Sequence, residues 1–149
     1  MYVSERLFVY FNQRLITAIR AMKQFSVVFF SDTSEIHILN EAALYARDNE
    51  NCDHMIICHV VDSSRSSRER ENNNIPKRLS ENLTLLDHMY PKMKIDLLIV
   101  EAEKGFTPQL VQYISNEIDI PTSFMFIRCP GKKFPFNIGE FDGVRTIMA

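Results

Sequence analysis

The stretch FSVVFFSDTSE, Phe25 to Glu35, decides how this chain folds. Its first six residues, FSVVFF, make a run dominated by Val and Phe that is too short for a helix and suits a strand buried on both faces. The polar residues that follow, Asp32-Thr33-Ser34-Glu35, have a capping-box pattern in which Asp32 is predicted to accept backbone N–H bonds. A helix is therefore expected at once, burying Ile36, Leu39, Ala43 and Ala46. A buried strand running straight into a capped helix is how a βαβ chain opens.

The same alternation repeats downstream. MIICHVV (55–61) reads as a second buried strand leading to Asp62, and IDLLIV (95–100) as a third. Between them, Ile75-Pro76 opens a helix with Leu79, Leu83, Leu86 and Met89 in step, stopped by Pro91. Thr107-Pro108 is an N-cap followed by a first-turn proline, with Phe106 placed to staple onto Val111 and with Leu110, Val111, Ile114 and Ile118 as the buried face. TSFMFI (122–127) is a fourth strand, 129–142 a Pro/Gly-rich loop, and VRTIM (144–148) a fifth strand. The pattern predicts an α/β fold: a doubly wound open parallel sheet of about five strands with helices on both faces. In such sheets ligands lie beyond the carboxyl ends of the strands where the winding reverses.

Residues 4–22 place Leu7, Phe8, Phe11, Leu15, Ile19 and Met22 at helical spacing, so 1–24 is expected to form a basic amphipathic helix ahead of an α/β domain at 25–149. This segment holds Arg6, Arg14, Arg20 and Lys23 against only Glu5, within a chain of 17 basic and 19 acidic residues. Such a helix suits packing on the domain, on a second copy, or on the anionic surface of a membrane. Residues 63–74, SSRSSRERENNN, contain no apolar side chain and read as an exposed loop.

Composition narrows the function classes. A length of 149 residues is one ordinary domain, and a net charge of −2 supplies no general field for nucleic acid. Cys52, Cys58 and Cys129 are odd in number and lack metal-ligand spacing, so reduced thiols are expected, with neither disulfides nor a zinc site. No apolar run is long enough to span a bilayer.

At the strand ends stand Ser31-Asp32, His59-Val60-Val61-Asp62 and Arg128-Cys129-Pro130-Gly131-Lys132-Lys133. Asp32 reads either as a helix cap alone or as an acceptor for ribose hydroxyls. Gly131 with Lys132 and Lys133 reads either as a solvated turn or as a phosphate contact. His59 fits a hydrogen-bonded histidine of the core or its rim. None of GxxxxGK[ST], GxGxxG or HExxH occurs, and Cys58 lies within a strand while Cys129 has no evident base. A binding or regulatory module, not an enzyme, is expected.

These residues resemble a family. VVFFSDTSE followed by a helix and MIICHVVD is similar to the universal stress protein fold, of the adenine nucleotide alpha hydrolase-like type. In that family the positions of Asp32 and Val60 help hold an adenine nucleotide, and Gly131 falls in the phosphate loop. The segment CPGKKFPFNIGEFDGV keeps Gly131 without the family's glycine spacing. LNEAALYARDNE (39–50) and IGEFDGVRTIM (138–148) further resemble the stress-protein-like domain that follows the last membrane helix in some permeases of the amino acid/polyamine/organocation superfamily, with Asp142 where glycine is usual. This likeness implies a regulatory or assembly domain on the cytoplasmic face of a membrane, attached to the transmembrane part of the same polypeptide. It also implies a homodimer through the last strand, no resident cofactor, and a membrane-proximal basic segment. The alternative is a free-standing stress-type protein that binds an adenine nucleotide.

Overall fold

The computed structural model describes residues 9–10, 19, 25–50, 52–62, 75–128 and 134–147. In chain order these form β1 (Val9–Tyr10), β2 (Ser26–Phe30), α1 (Ile36–Asn49), β3 (His54–Asp62), α2 (Ile75–Met89), β4 (Lys94–Ala102), α3 (Pro108–Ile118), β5 (Met125–Arg128) and β6 (Arg145–Ile147). Short 3-10 turns at Thr122–Phe124 and Ile138–Phe141 precede β5 and β6.

The sheet order is β1-β4-β3-β2-β5-β6. The five strands β2 to β6 are all parallel, and β1 joins the β4 edge antiparallel through Val9↔Ala102 and Tyr10↔Glu101. From β2 the chain winds outward through β3 and β4, then returns to the other side of β2 for β5 and β6. The reversal therefore lies between β2 and β5, as in doubly wound folds.

Alternation along each strand divides the core in two. Val27, Phe29, Met55, Ile57 and Phe126 pack with Leu39 and Ala43 of α1 and with Leu79 and Leu86 of α2. Val28, Phe30, Ile56, Leu98 and Ile127 pack with Leu110, Val111 and Ile114 of α3. The central strands are buried on both faces, which is why they read as unbroken apolar runs. Cys58 sits fully buried in this sheet, and burial pushes its thiol well up, so it packs as a small hydrophobe. Cys52 is half-buried, and Cys129 lies outside the described residues.

Two local expectations are corrected. The helix predicted over 4–22 does not run unbroken, because Val9–Tyr10 are extended and hydrogen-bonded to β4. Ile19 is helical and buried in the α3-side core, so this part of the segment is built into the same body as the sheet. Tertiary pairing with an open strand edge overrides the local helical period here. The second correction concerns Asp32, which does not cap α1. The helix begins at Ile36 with Glu35 as N-cap and no side-chain cap bond, while Ser31 and Thr33 bridge the turn. Thr33 N–H donates to Ser31 Oγ at 3.2 Å, and Glu35 N–H donates to Thr33 Oγ1 at 3.1 Å. By contrast, Thr107 caps α3 as expected, its Oγ1 accepting from Leu110 N–H at 3.1 Å with Pro108 next in line.

Candidate functional site

The carboxyl ends of β2 and β3 are tied together. Ser31 N–H donates to Cys58 O at 2.9 Å, and His59 Nδ1–H donates to Ser31 O at 2.8 Å. Burial holds the His59 imidazole below its ordinary range, against the opposing pull of that hydrogen bond, so it stands as a neutral rim histidine. Asp32 is exposed just beyond this tie, and Val60 is half-buried against the α3-side core. The fold thus brings Asp32 and Val60 to one end of the sheet on adjacent strands. Gly131, Lys132 and Lys133 lie outside the described residues, as does the 63–74 loop.

Phenyl rings occupy the α3 side of this end. Phe30 closes β2, Phe106 follows β4, and Phe134, Phe136 and Phe141 follow β5. Phe106 lies 5.1 Å from Phe30 and stacks on Phe141 at 5.0 Å, while Phe134 stacks on Phe141 at 5.7 Å. Phe136 meets Phe141 edge-on at 5.8 Å, and Phe141 is only 2% exposed. Near these rings a groove of about 230 Å³ runs between α3 and the second 3-10 turn, lined by Gln109, Gln112, Thr122, Glu140 and Asp142. Its two carboxylates disfavour an anionic ligand. The Glu140 carboxylate already accepts from Asn137 N–H at 2.9 Å.

Two polar clusters escaped the sequence reading. At the opposite end of the sheet, Ser26 Oγ lies 2.8 Å from His54 Nδ1, and His54 Nε2 lies 2.8 Å from Asp96 Oδ2. His54 is fully buried, and the Asp96 side chain is 22% exposed with Lys94 Nζ at 3.9 Å. The hydrogen bond from His54 holds the Asp96 carboxyl below its ordinary value near 3.8, outweighing the desolvation that raises it. The second cluster joins β6 to the end of α1. Arg145 Nη1 pairs with Glu50 Oε1 and donates to Tyr45 OH at 3.2 Å. Burial and the Glu50 carboxylate push the Tyr45 phenol up. Only the strand register reveals the first cluster, and only the return of the chain past α1 reveals the second.

The Asp96 shift carries a pH prediction. Because its folded value is depressed, the contribution is fully present above the ordinary carboxyl range and is lost as pH falls through the folded value. Acid titration of unfolding free energy from pH 5 downward should therefore fall more steeply in the parent chain than in Asp96→Asn. Parallel curves would show that the His54–Asp96 bond adds no pH-dependent stability.

Among the described residues, no group of acidic, histidine or cysteine side chains is placed to hold a metal ion, and no helix is long and apolar enough to cross a membrane. In comparison with known proteins, no family model, no curated protein and no solved structure matches this chain.

Proposed function

We propose that this chain is a cytoplasmic regulatory or assembly domain of a membrane amino acid permease, acting by association and without turnover of a substrate. The observation that carries the reading is the aromatic packing at the reversal of winding. Where an open sheet offers its ligand crevice, Phe30, Phe106, Phe134 and Phe141 pack on one another, so the described residues make this end apolar on the α3 side. The two phrases that carry the permease likeness also meet in space through Tyr45, Glu50 and Arg145, which fits a shared structural role. Its partners in this reading are the transmembrane part of the same polypeptide, the membrane surface beside residues 4–22, and a second copy along the outer edge of β6.

The coding sequence tests the first of these directly. Hydrophobic spans in frame ahead of residue 1 are the expected finding, and an in-frame stop immediately upstream would overturn the permease reading. The alternative, a free-standing protein that binds an adenine nucleotide, is favoured by the shared sheet end of Asp32 and Val60. A nucleotide at about 100 times its dissociation constant would add about 2.7 kcal/mol to native stability. For a chain of this size that is a rise in Tm of about 5–10 °C. No shift with millimolar ATP or AMP is expected. A shift abolished by Asp32→Ala would replace the proposed reading with the nucleotide one.

A further inference from the structure

The groove between α3 and the second 3-10 turn has no part in the proposed association, and its lining is chemically one-sided. Val111 and Phe141, both buried, form an apolar floor. Gln109 and Gln112 stand three residues apart on α3 and so share one face of the helix. Glu140 and Asp142 flank Phe141 on the opposite wall, Glu140 within the 3-10 turn and Asp142 as its C-cap.

Donors in this lining are mostly spent, whereas acceptors remain. Thr122 Oγ1 donates its proton to Asp142 O, and Gln112 Nε2 donates to Asn116 Oδ1 at 3.3 Å, which leaves Gln112 Oε1 as an acceptor. Oε2 of Glu140 accepts from Asn137 N–H, which leaves its second carboxylate oxygen, and the Asp142 carboxylate adds two more. The first turn of α3 offers little to an anion. Pro108 has no N–H, Leu110 N–H is capped by Thr107 Oγ1, and Val111 N–H bonds to Thr107 O. Among the described residues, no lysine or arginine lines the groove. A ligand that matches this lining is cationic and rich in donors.

We propose that this groove binds a guanidinium group carried on a short alkyl stem. A guanidinium is planar, always charged and presents five N–H donors, so it meets acceptors on two walls at once. Glu140 and Asp142 take it from one side and Gln112 Oε1 from the other. Both carboxylates are exposed, so attraction between charges contributes little by itself. The stem adds what charge does not: lying over Val111 and Phe141, it shields the charge-assisted hydrogen bonds from water. A volume of about 230 Å³ is below the range of drug-sized sites, which limits the stem to a few carbons. Such a group arrives either on a free small molecule or as an arginine side chain of a protein. The site is separate from the permease reading and stands or falls independently of it.

The test follows backbone amide chemical shifts of the full 149-residue chain by NMR during titration with n-butylguanidinium. Saturable shifts at Gln109, Gln112, Glu140 and Asp142 are expected, with a dissociation constant on the order of 1 mM for so small a ligand. n-Butanol, which has the stem without the cation, should give no saturable shift at these amides. Glu140→Gln keeps an acceptor for Asn137 N–H, and Asp142→Asn keeps a residue that tolerates positive φ, so each variant removes a charge and preserves the turn. Each should weaken binding about tenfold, the loss of one charge-assisted hydrogen bond. A capped Gly-Arg-Gly tripeptide distinguishes the two sources. Tighter binding than n-butylguanidinium supports the site and assigns it to an arginine of a partner protein, while weaker binding supports it and assigns a free small molecule. No saturable shift with either guanidinium probe, equal shifts with n-butanol, or unchanged affinity in both variants would overturn the proposal.

Discussion

Phe141→Ala should destabilise the chain by about 3–5 kcal/mol, the range for removing a fully buried aromatic ring. The effect is expected at the upper end because three rings lose a partner together: Phe106 stacked at 5.0 Å, Phe134 stacked at 5.7 Å, and Phe136 edge-on at 5.8 Å. Such ring pairs add about 0.5–1.5 kcal/mol each beyond their buried area. Phe141 also ends the 3-10 turn that Asn137 and Glu140 hold by reciprocal capping, so its ring fixes the approach of the chain to β6. Urea unfolding of the parent and variant chains measures the loss. Phe136→Ala removes a half-buried ring at the rim of the cluster and should cost less than half as much. Equal costs for the two variants, or a Phe141 cost below about 1 kcal/mol, would mean that the cluster does not organise this end of the sheet.

The central parallel strands were legible because they are buried on both faces and so read as apolar runs. FSVVFF, MIICHVV and IDLLIV needed no partner to be recognised. β1 was not legible, because Val9–Tyr10 become a strand only by meeting the β4 edge, and nothing local marks that meeting. The turn after β2 was misread for a related reason. Ser31 and Asp32 are both acceptable turn residues, and the tie of Ser31 to β3 decides between them. Asp32 and Val60 follow from strand ends and do share one end of the sheet. Ser26, His54 and Asp96 lie at separations that carry no motif, and only register aligns them. The phenyl rings after β5 were hidden in a segment whose prolines and glycines mark it as loop.

Arg145→Met should cost about 2–4 kcal/mol, more than Glu50→Gln, and the two changes together should cost less than their sum. Removing one member of a buried ion pair leaves the other charge without compensation, and the Glu50 side chain is only 9% exposed. The 40% exposure of Arg145 keeps the expected loss below that of a fully buried pair. Glu50 is the C-cap of α1, where a helix disfavours negative charge, so the guanidinium also relieves an adverse position. The turn that delivers Arg145 is itself constrained. Asp142 has φ 31° and Gly143 φ 99°, both positive, a backbone conformation that glycine and aspartate adopt more readily than most residues. Thr122 Oγ1 donates to Asp142 O, and a Cβ on Gly143 would lie 3.1 Å from that same oxygen of Thr122. Hydrogen exchange supplies the local readout: the amides of β6 should lose protection in Arg145→Met before those of β2 and β3 do. Uniform loss across the sheet would mean that the pair stabilises the domain as a whole, whereas loss confined to β6 identifies Arg145 as the lock on the outer strand. In the second case, the residues that make 39–50 and 138–148 distinctive hold an edge in place, and any pairing along that edge depends on Glu50 as much as on β6.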